Sequence, residues 1–439
     1  MRKAITLLFI FSATLLAQSA GLRFPRVERL EDNKVDAAGA WKIVRRVQPQ
    51  IQDQNIYSFK YHPDGKSVII GTTDFAIFRI SLEDGRMLWK ADAKMMYQKE
   101  FDGPEIFDVS ADGKIFLSTG QSNPEVQASE RYLVIRSCAN GSIVGRFPVE
   151  ISSFYSVSAA MDHRYSASEE AERRETGLGF PWIMTISAAT FAENGSRIVA
   201  SYQGNMTGQH FYDKRIVVYN TAAKAKLSEM QLVADPKTAV WDQPAGFEIA
   251  HMQFPYLYNP KNKSILFGTS HGRIHEISSS EMASNAKTAL VEDKTAGKVL
   301  FTPLSTSSDM AVKDRQTLRY MAFSPDGKTV FASAGTEGGY IQLYAFDYAS
   351  RKEVFHSTLF DAGRLQAPSG DILVIGGIFS SGKFMIADVR KGTLVFASQG
   401  EETVSPAIFD SNPTFREVAA LGSGGAIVLI RPDQSETRW

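Results

Sequence analysis

Histidine and cysteine are the side chains most able to bind a metal or attack a carbonyl, and this chain has seven histidines and one cysteine. His271 and His275 stand four apart, a spacing that places two imidazoles on one face of a helix. The run RIHEIS around His275 alternates like a strand, however, and there residues four apart are about 13 Å from each other. A shared metal is therefore not expected. Cys138 ends an apolar run beside the turn CANGS, and no partner for a nucleophilic role can be named from spacing. A lone cysteine also rules out a C-x-x-C-H haem attachment. GSGGA (Gly422–Ala426) has the glycine content of a phosphate loop, but no helix follows to offer its amides, so a strand-to-strand turn is expected. Spacing nominates no carboxylate pair for hydrolysis. No catalytic residue, metal or cofactor is assigned.

The aromatic residues give the only candidate site. GLGFPW (Gly177–Trp182) and VWDQPAGF (Val240–Phe247) set Phe180, Trp182, Trp241 and Phe247 beside proline and glycine. Large aromatics in such loops serve as contact anchors for a partner, or as small satellite cores that pin the loops down. Both readings stay open at this stage.

The elements that carry these residues repeat. HPDGK (His62–Lys66), SADGK (Ser110–Lys114), AENGS (Ala192–Ser196) and SPDGK (Ser324–Lys328) each join two alternating apolar runs. Asp-Gly or Asn-Gly between such runs is the strongest short-range hairpin signal, because the turn needs positive φ. Units of about 40–50 residues with four short strands each predict a β-propeller. The approximate blade limits are 55–91, 105–149, 184–231, 248–292, 317–357, 364–398 and 403–431. In the fourth, HMQF (His251–Phe254) is read as the first strand and Lys287–Val291 as a weak outer strand. The seventh lacks an outer strand, and AWKIVRRV (Ala40–Val47) is an orphan of the right length. The fold class expected is all-β: a seven-bladed propeller, four antiparallel strands per blade, closed by residues 40–47 pairing in the last blade.

This pattern resembles the WD-repeat, YVTN and TolB-type propeller families from about Ala40 to Arg431. The likeness is carried by the P/A-D-G-K hairpins and by third strands ending in Phe346-Asp347, Ala387-Asp388 and Tyr219-Asn220. No Gly-His dipeptide opens the units, and the one Trp-Asp pair, Trp241-Asp242, falls in a linker. The regular tryptophan repeats of quinone-dependent propellers are absent, and SPDGK lacks the S-x-D-x-G spacing of the sialidase box. The TolB-type likeness implies a scaffolding role. The YVTN likeness implies an alternative, a lactonase-like hydrolase with a small-molecule site at the channel mouth.

Long insertions gather on one face, that of the second-to-third loops and inter-blade links. They are 91–104, 121–131, 150–181, 203–214, 233–247 and 292–316. Loops on a rigid scaffold are where binding groups usually reside, so this face is the expected interaction surface.

Composition bounds the partners. Forty-eight basic residues balance 48 acidic ones, which argues against nucleic acid. Residues 1–20, with Arg2 and Lys3 before AITLLFIFSATLLA, have the layout of a secretory signal, and the apolar run is too short to span a bilayer. No cysteine near the junction provides a lipid anchor. Residues 21–38 are read as a linker, 39–433 as the propeller and 434–439 as a tail. An exported chain of this size without a possible internal disulfide fits a bacterial periplasmic or secreted protein. The expected partner is an envelope protein or glycan, bound by a monomer without a transmembrane segment once the signal is cleaved. The sequons at Asn140, Asn194, Asn205 and Asn262 are read as turn chemistry.

Overall fold

The computed structural model describes residues 30, 35, 40–51, 55–93, 104–120, 132–147, 182–206, 209–233, 256–259, 261–268, 274–278, 289–291, 298–301, 318–335, 340–360, 362–377, 383–398 and 404–432. Strand β1 (Trp41–Val47) comes first in the chain, and six four-strand units follow it. Blade one holds β2 (Ile56–Tyr61), β3 (Ser67–Thr72), β4 (Ala76–Ser81) and β5 (Met87–Asp92). Blade two holds β6 (Ile106–Val109), β7 (Ile115–Gly120), β8 (Tyr132–Ser137) and β9 (Ile143–Phe147). Blade three holds β10 (Trp182–Ala192), β11 (Arg197–Met206), β12 (Gln209–Asn220) and β13 (Ala225–Val233). Blade four holds β14 (Tyr256–Asn259), β15 (Ser264–Gly268) and β16 (Ile274–Ser278). Then come β17 (Ala289–Val291) and the blade's outer strand, β18 (Lys298–Phe301). Blade five holds β19 (Leu318–Phe323), β20 (Thr329–Gly335), β21 (Tyr340–Asp347) and β22 (Lys352–Phe360). Blade six holds β23 (Ala362–Gln366), β24 (Ile372–Gly377), β25 (Met385–Asp388) and β26 (Thr393–Ala397). Blade seven holds β27 (Val404–Ser411), β28 (Val418–Gly422) and β29 (Ile427–Pro432), completed by β1 antiparallel to β29, from Trp41↔Pro432 to Val47↔Ile427.

The chain is thus a seven-bladed, all-β propeller closed by its N-terminal strand, as the orphan segment predicts. Packing shows why the ring must close. The second strands are buried on both faces, and their side chains alternate between neighbours. Val68 and Ile70 meet blade seven, whereas Ile69 meets blade two. Buried apolar residues among the described residues form seven clusters, one at each interface between adjacent blades. A single four-stranded sheet cannot bury two faces, so each blade depends on both neighbours.

The hairpin motif has a local cause. In the second and fifth repeats the Asp carboxylate accepts the Lys N–H two residues on (Asp112–Lys114 and Asp326–Lys328, both 3.1 Å), and the preceding Ser hydroxyl donates to it. Gly113 and Gly327 take φ of 67° and 68°, which a side chain disfavours. In the first repeat His62 replaces Ser, and its Nε2 lies 3.0 Å from the Gly113 carbonyl, joining the first turn to the second. Asp347, Asp388 and Asn220, which end third strands, cap the next turn by accepting N–H bonds from Ser350, Lys391 and Ala223.

These aspartates set an acid limit. Hydrogen bonds from Ser110 and Lys114 draw Asp112 down to about 2. At Asp64 and Asp326 burial pushes upward, but the turn hydrogen bonds and nearby cations outweigh it and hold both carboxyls below the usual range. A depressed folded-state pKa gives stability that is present above the unfolded value and lost as pH falls through the folded one. The urea midpoint is therefore expected to hold from neutrality to about pH 4 and to drop between about 4 and 2. Asp64→Asn should flatten that drop.

The structure corrects four expectations. The fourth blade's first strand is Tyr256–Asn259; His251–Phe254 lies outside the described residues. Its outer strand is Lys298–Phe301, so the blade runs beyond 292. Ala289–Val291 instead pairs in parallel with β13 as a fifth strand on blade three. The reason is apolar filling: Phe301 stacks on Phe346 of blade five at 4.2 Å, a role that Ala-Leu-Val cannot fill. Residues 203–206 and 209–214, read as part of a loop insertion, continue β11 and β12. Finally, the 21–38 segment is not merely a linker. Leu30 is fully buried in the cluster between blades five and six, its N–H bonded to Ser357 Oγ at 2.9 Å, and Val35 bridges in parallel to Leu394.

Candidate functional site

First strands line the axis: β27, β2, β6 and β10 touch in turn, as do β14, β19, β23 and β27. One register position on these strands forms a layer around the axis. It is held by Lys60, Asp108, Thr190, Leu257, Ala322, Gln366 and Asp410, which pair with equivalent residues of the second strands. The layer is polar on blades six, seven, one, two and three and apolar on four and five.

Its two carboxylates are fully engaged. Asp410 accepts Lys60 Nζ at 3.1 Å and Gln366 Nε2 at 2.9 Å on one oxygen, and the Tyr61 N–H at 2.8 Å on the other. Asp108 accepts the Phe191 N–H at 2.8 Å and Thr190 Oγ1 at 2.9 Å on Oδ2, and its own neighbour Val109 N on Oδ1. Each carboxylate therefore fastens its blade to the next. Burial pushes the Asp108 carboxyl up against the opposing pull of Phe191 N and Lys60. Both acids act as inter-blade ties at the axis, with their lone pairs directed at neighbouring backbone and side chains.

Beside the seam, Glu417 is 1% exposed and collects Tyr61 Oη (2.8 Å), Asn412 Nδ2 (3.0 Å) and Arg431 Nε (2.5 Å). Farther out, Arg79 spans Asp64 and Ser67 and, with Trp89 Nε1, donates to the Cys138 carbonyl, joining blade one to blade two. The Cys138 thiol is buried and pushed up to about 12 by that burial, so it keeps its proton at neutral pH. Cys138 is a packing residue. His275 is buried against Phe267 with ring centroids 5.4 Å apart, and His271 lies outside the described residues. Gly422–Ala426 forms the strand-to-strand turn expected, with Gly424 and Gly425 at positive φ.

Among the described residues, the long-loop face carries a strand extension. The first turn of blade three, Glu193–Gly195, sits level with the other hairpin turns, yet β11 has ten residues where β3 has six. Four extra residues extend about 14 Å toward the long-loop face. There β10, β11 and β12 form a three-stranded finger, with Trp182↔Met206 and Met206↔Gln209 as the last pairs before its tip. Trp182 thus opens a strand at the end of this finger and does not sit in a loop. Phe180, Trp241 and Phe247 lie outside the described residues, as do most of the other insertions. The finger was hidden in the sequence because its strands mix glycine, asparagine and aromatics. The pairing of Trp182 with Met206 is visible only once β11 is fixed in register.

No family model matches the chain, and no curated protein matches it. Among solved structures it is similar to the β-propeller domain of Myceliophteria thermophila Cps50 (Swd1). The TM-score is 0.50 at 13% identity, over 89% of this chain and 99% of that one. The likeness is one of fold. No helix among the described residues is long and apolar enough to cross a membrane.

Proposed function

We propose that this propeller is an exported, non-catalytic binding platform that holds a protein or glycan of a bacterial envelope on its long-loop face, in the periplasm or outside the cell. The observation that carries this reading is the blade-three finger, which lifts Trp182 about 14 Å beyond the level of an ordinary blade. A hydrogen-bonded, strand-paired projection offers contact area at lower ordering cost than a loop. Phe180, Trp241 and Phe247 belong to the insertions of the same face and are the other anchors assigned to it. The hydrolase alternative is weakened by the state of the axial acids. A general acid or base needs a lone pair or proton facing substrate, whereas Asp108 and Asp410 spend theirs on blade-to-blade bonds.

The test is to shorten the finger by replacing residues 203–212 with Asn-Gly, and separately to make Trp182→Ala. Crosslinked partners are then recovered from native cells. Loss of the partner in the shortened variant, and about a tenfold weakening in Trp182→Ala, is expected. Undiminished recovery from both would remove the finger as the contact site.

A further inference from the structure

The outer strands share an irregularity that leaves a belt of aliphatic side chains around the disc. In six blades the outer strand carries a one-residue bulge at the same register, next to the turn or end that begins it. The residues skipped are Val44, Leu88, Val144, Leu227, Val354 and Val395. Bulges absorb the strong twist of such edges and leave the extra residue out of the ladder. Here that residue is Val or Leu in every case.

The belt is covered on two blades and bare on four. On blade five Val354 packs against the cluster that contains Leu30, and on blade six Val35 bridges to Leu394, the residue before Val395. Val395 itself is buried in the cluster with Trp41. The arm lies on the outer strand in both places, at Ser357 of blade five and at Leu394 of blade six, while Val395 turns into the interface with blade seven. On blades seven, one, two and three the belt stays open: Val44, Leu88, Val144 and Leu227 are 41–44% exposed. With Met87, they are the exposed large hydrophobics among the described residues.

We propose that this open sector is a docking surface for an extended, acidic polypeptide segment bearing spaced aliphatic residues, the same chemistry as the arm that covers blades five and six. Three observations favour this occupant. First, outer edges of this ring accept parallel extended chain: β17 on blade three and Val35 on blade six are both parallel additions. Second, charge is complementary. The four open strands carry Lys42, Arg45, Arg46, Lys90, Arg146 and Lys226 against Asp92 and Glu229, while the adjoining turns balance. Third, the arm supplies the template. In VERLEDNKVDAA (residues 27–38) Leu30 and Val35 stand five apart, and four acids outnumber two bases. A second copy of the ring edge is disfavoured, since two basic rims repel.

The probe is fluorescein-labelled VERLEDNKVDAA, titrated by anisotropy into the full mature chain with its own arm in place. Saturable binding is expected, weakened by added salt. It should fall about tenfold in Leu88→Asp/Val144→Asp, in Arg45→Glu/Arg46→Glu, and with a peptide whose Leu and Val are replaced by Asp. The thermal melt of Leu88→Asp/Val144→Asp should match the wild type, because both side chains are exposed. Arg45→Glu/Arg46→Glu also loses the Arg45 bond to the Leu82 carbonyl, so its binding is read well below its own melting temperature. Absence of saturation, or binding that neither variant changes, overturns the proposal. So does binding that appears only after residues 21–38 are removed, which would confine the peptide to blades five and six. Co-sedimentation with phosphatidylglycerol vesicles that Leu88→Asp/Val144→Asp abolishes, without peptide binding, would overturn it in favour of a lipid face. None of these readouts involves the long-loop face, so failure here leaves the finger untouched.

Discussion

Removing residues 21–47 should lower the unfolding free energy by roughly 5 kcal/mol or more relative to removing residues 21–38 alone. The shorter deletion takes away the arm and spares β1. The longer one also strips six cross-strand residue pairs from β29 and removes the buried Trp41 and Val47. Truncating one buried Trp alone costs about 3–5 kcal/mol. Blade seven would keep three strands and present a raw edge. Because every blade depends on both neighbours, the denaturant transition should also broaden and lose coincidence between tryptophan fluorescence and far-UV circular dichroism. Equal urea midpoints for the two deletions would show that β1 is decoration and not closure.

A second large effect is expected at Glu417. Replacing it by Ala leaves Arg431, Tyr61 Oη and Asn412 Nδ2 without their common acceptor at a site where Glu417 itself is 1% exposed. The Arg431 side chain is 41% exposed, so water takes over its charge. The cost falls on the buried Tyr61 hydroxyl and Asn412 amide left without their acceptor, about 1–3 kcal/mol. Burial, and then the adjacent Glu417 carboxylate, push the Tyr61 hydroxyl well above its usual range, so it stays protonated and donating. Glu417→Gln keeps an acceptor for Tyr61 and should cost less than half as much. The double change Glu417→Leu/Arg431→Met should cost about as much as Glu417→Ala, because Tyr61 Oη and Asn412 Nδ2 still lack their acceptor. Urea titrations of the three variants decide the matter: a cost below about 1 kcal/mol for Glu417→Ala would mean that the network adds nothing to the seam.

What the sequence made legible was local. Asp-Gly turns declare themselves because only a few residues satisfy their φ, and the orphan AWKIVRRV was readable because one blade was a strand short. Long-range pairing was not readable. Ala289–Val291 and Lys298–Phe301 are equally plausible strands in isolation, and the choice rests on Phe346 across an interface. Leu30 is one apolar residue in a charged stretch, without periodicity to announce its burial. The axial ties were invisible for a similar reason. Asp108 and Asp410 stand about 300 residues apart and look like ordinary strand-end acids until the ring brings Thr190 and Lys60 against them. The bulge belt needed register in six blades at once.

The parallel ladder between Val233 and Val291 has a consequence for how this ring could be edited. Repeat proteins usually lose or gain one unit at a time, since each unit is a contiguous piece of chain. Here, a stretch encoded between the third and fourth strands of unit four is stitched onto unit three. Neither can be excised cleanly: cutting out unit four tears a strand from its predecessor, and cutting out unit three strands a ribbon. The pair is a single heritable module, as blade seven and β1 are at the seam, and limited proteolysis should release units three and four together.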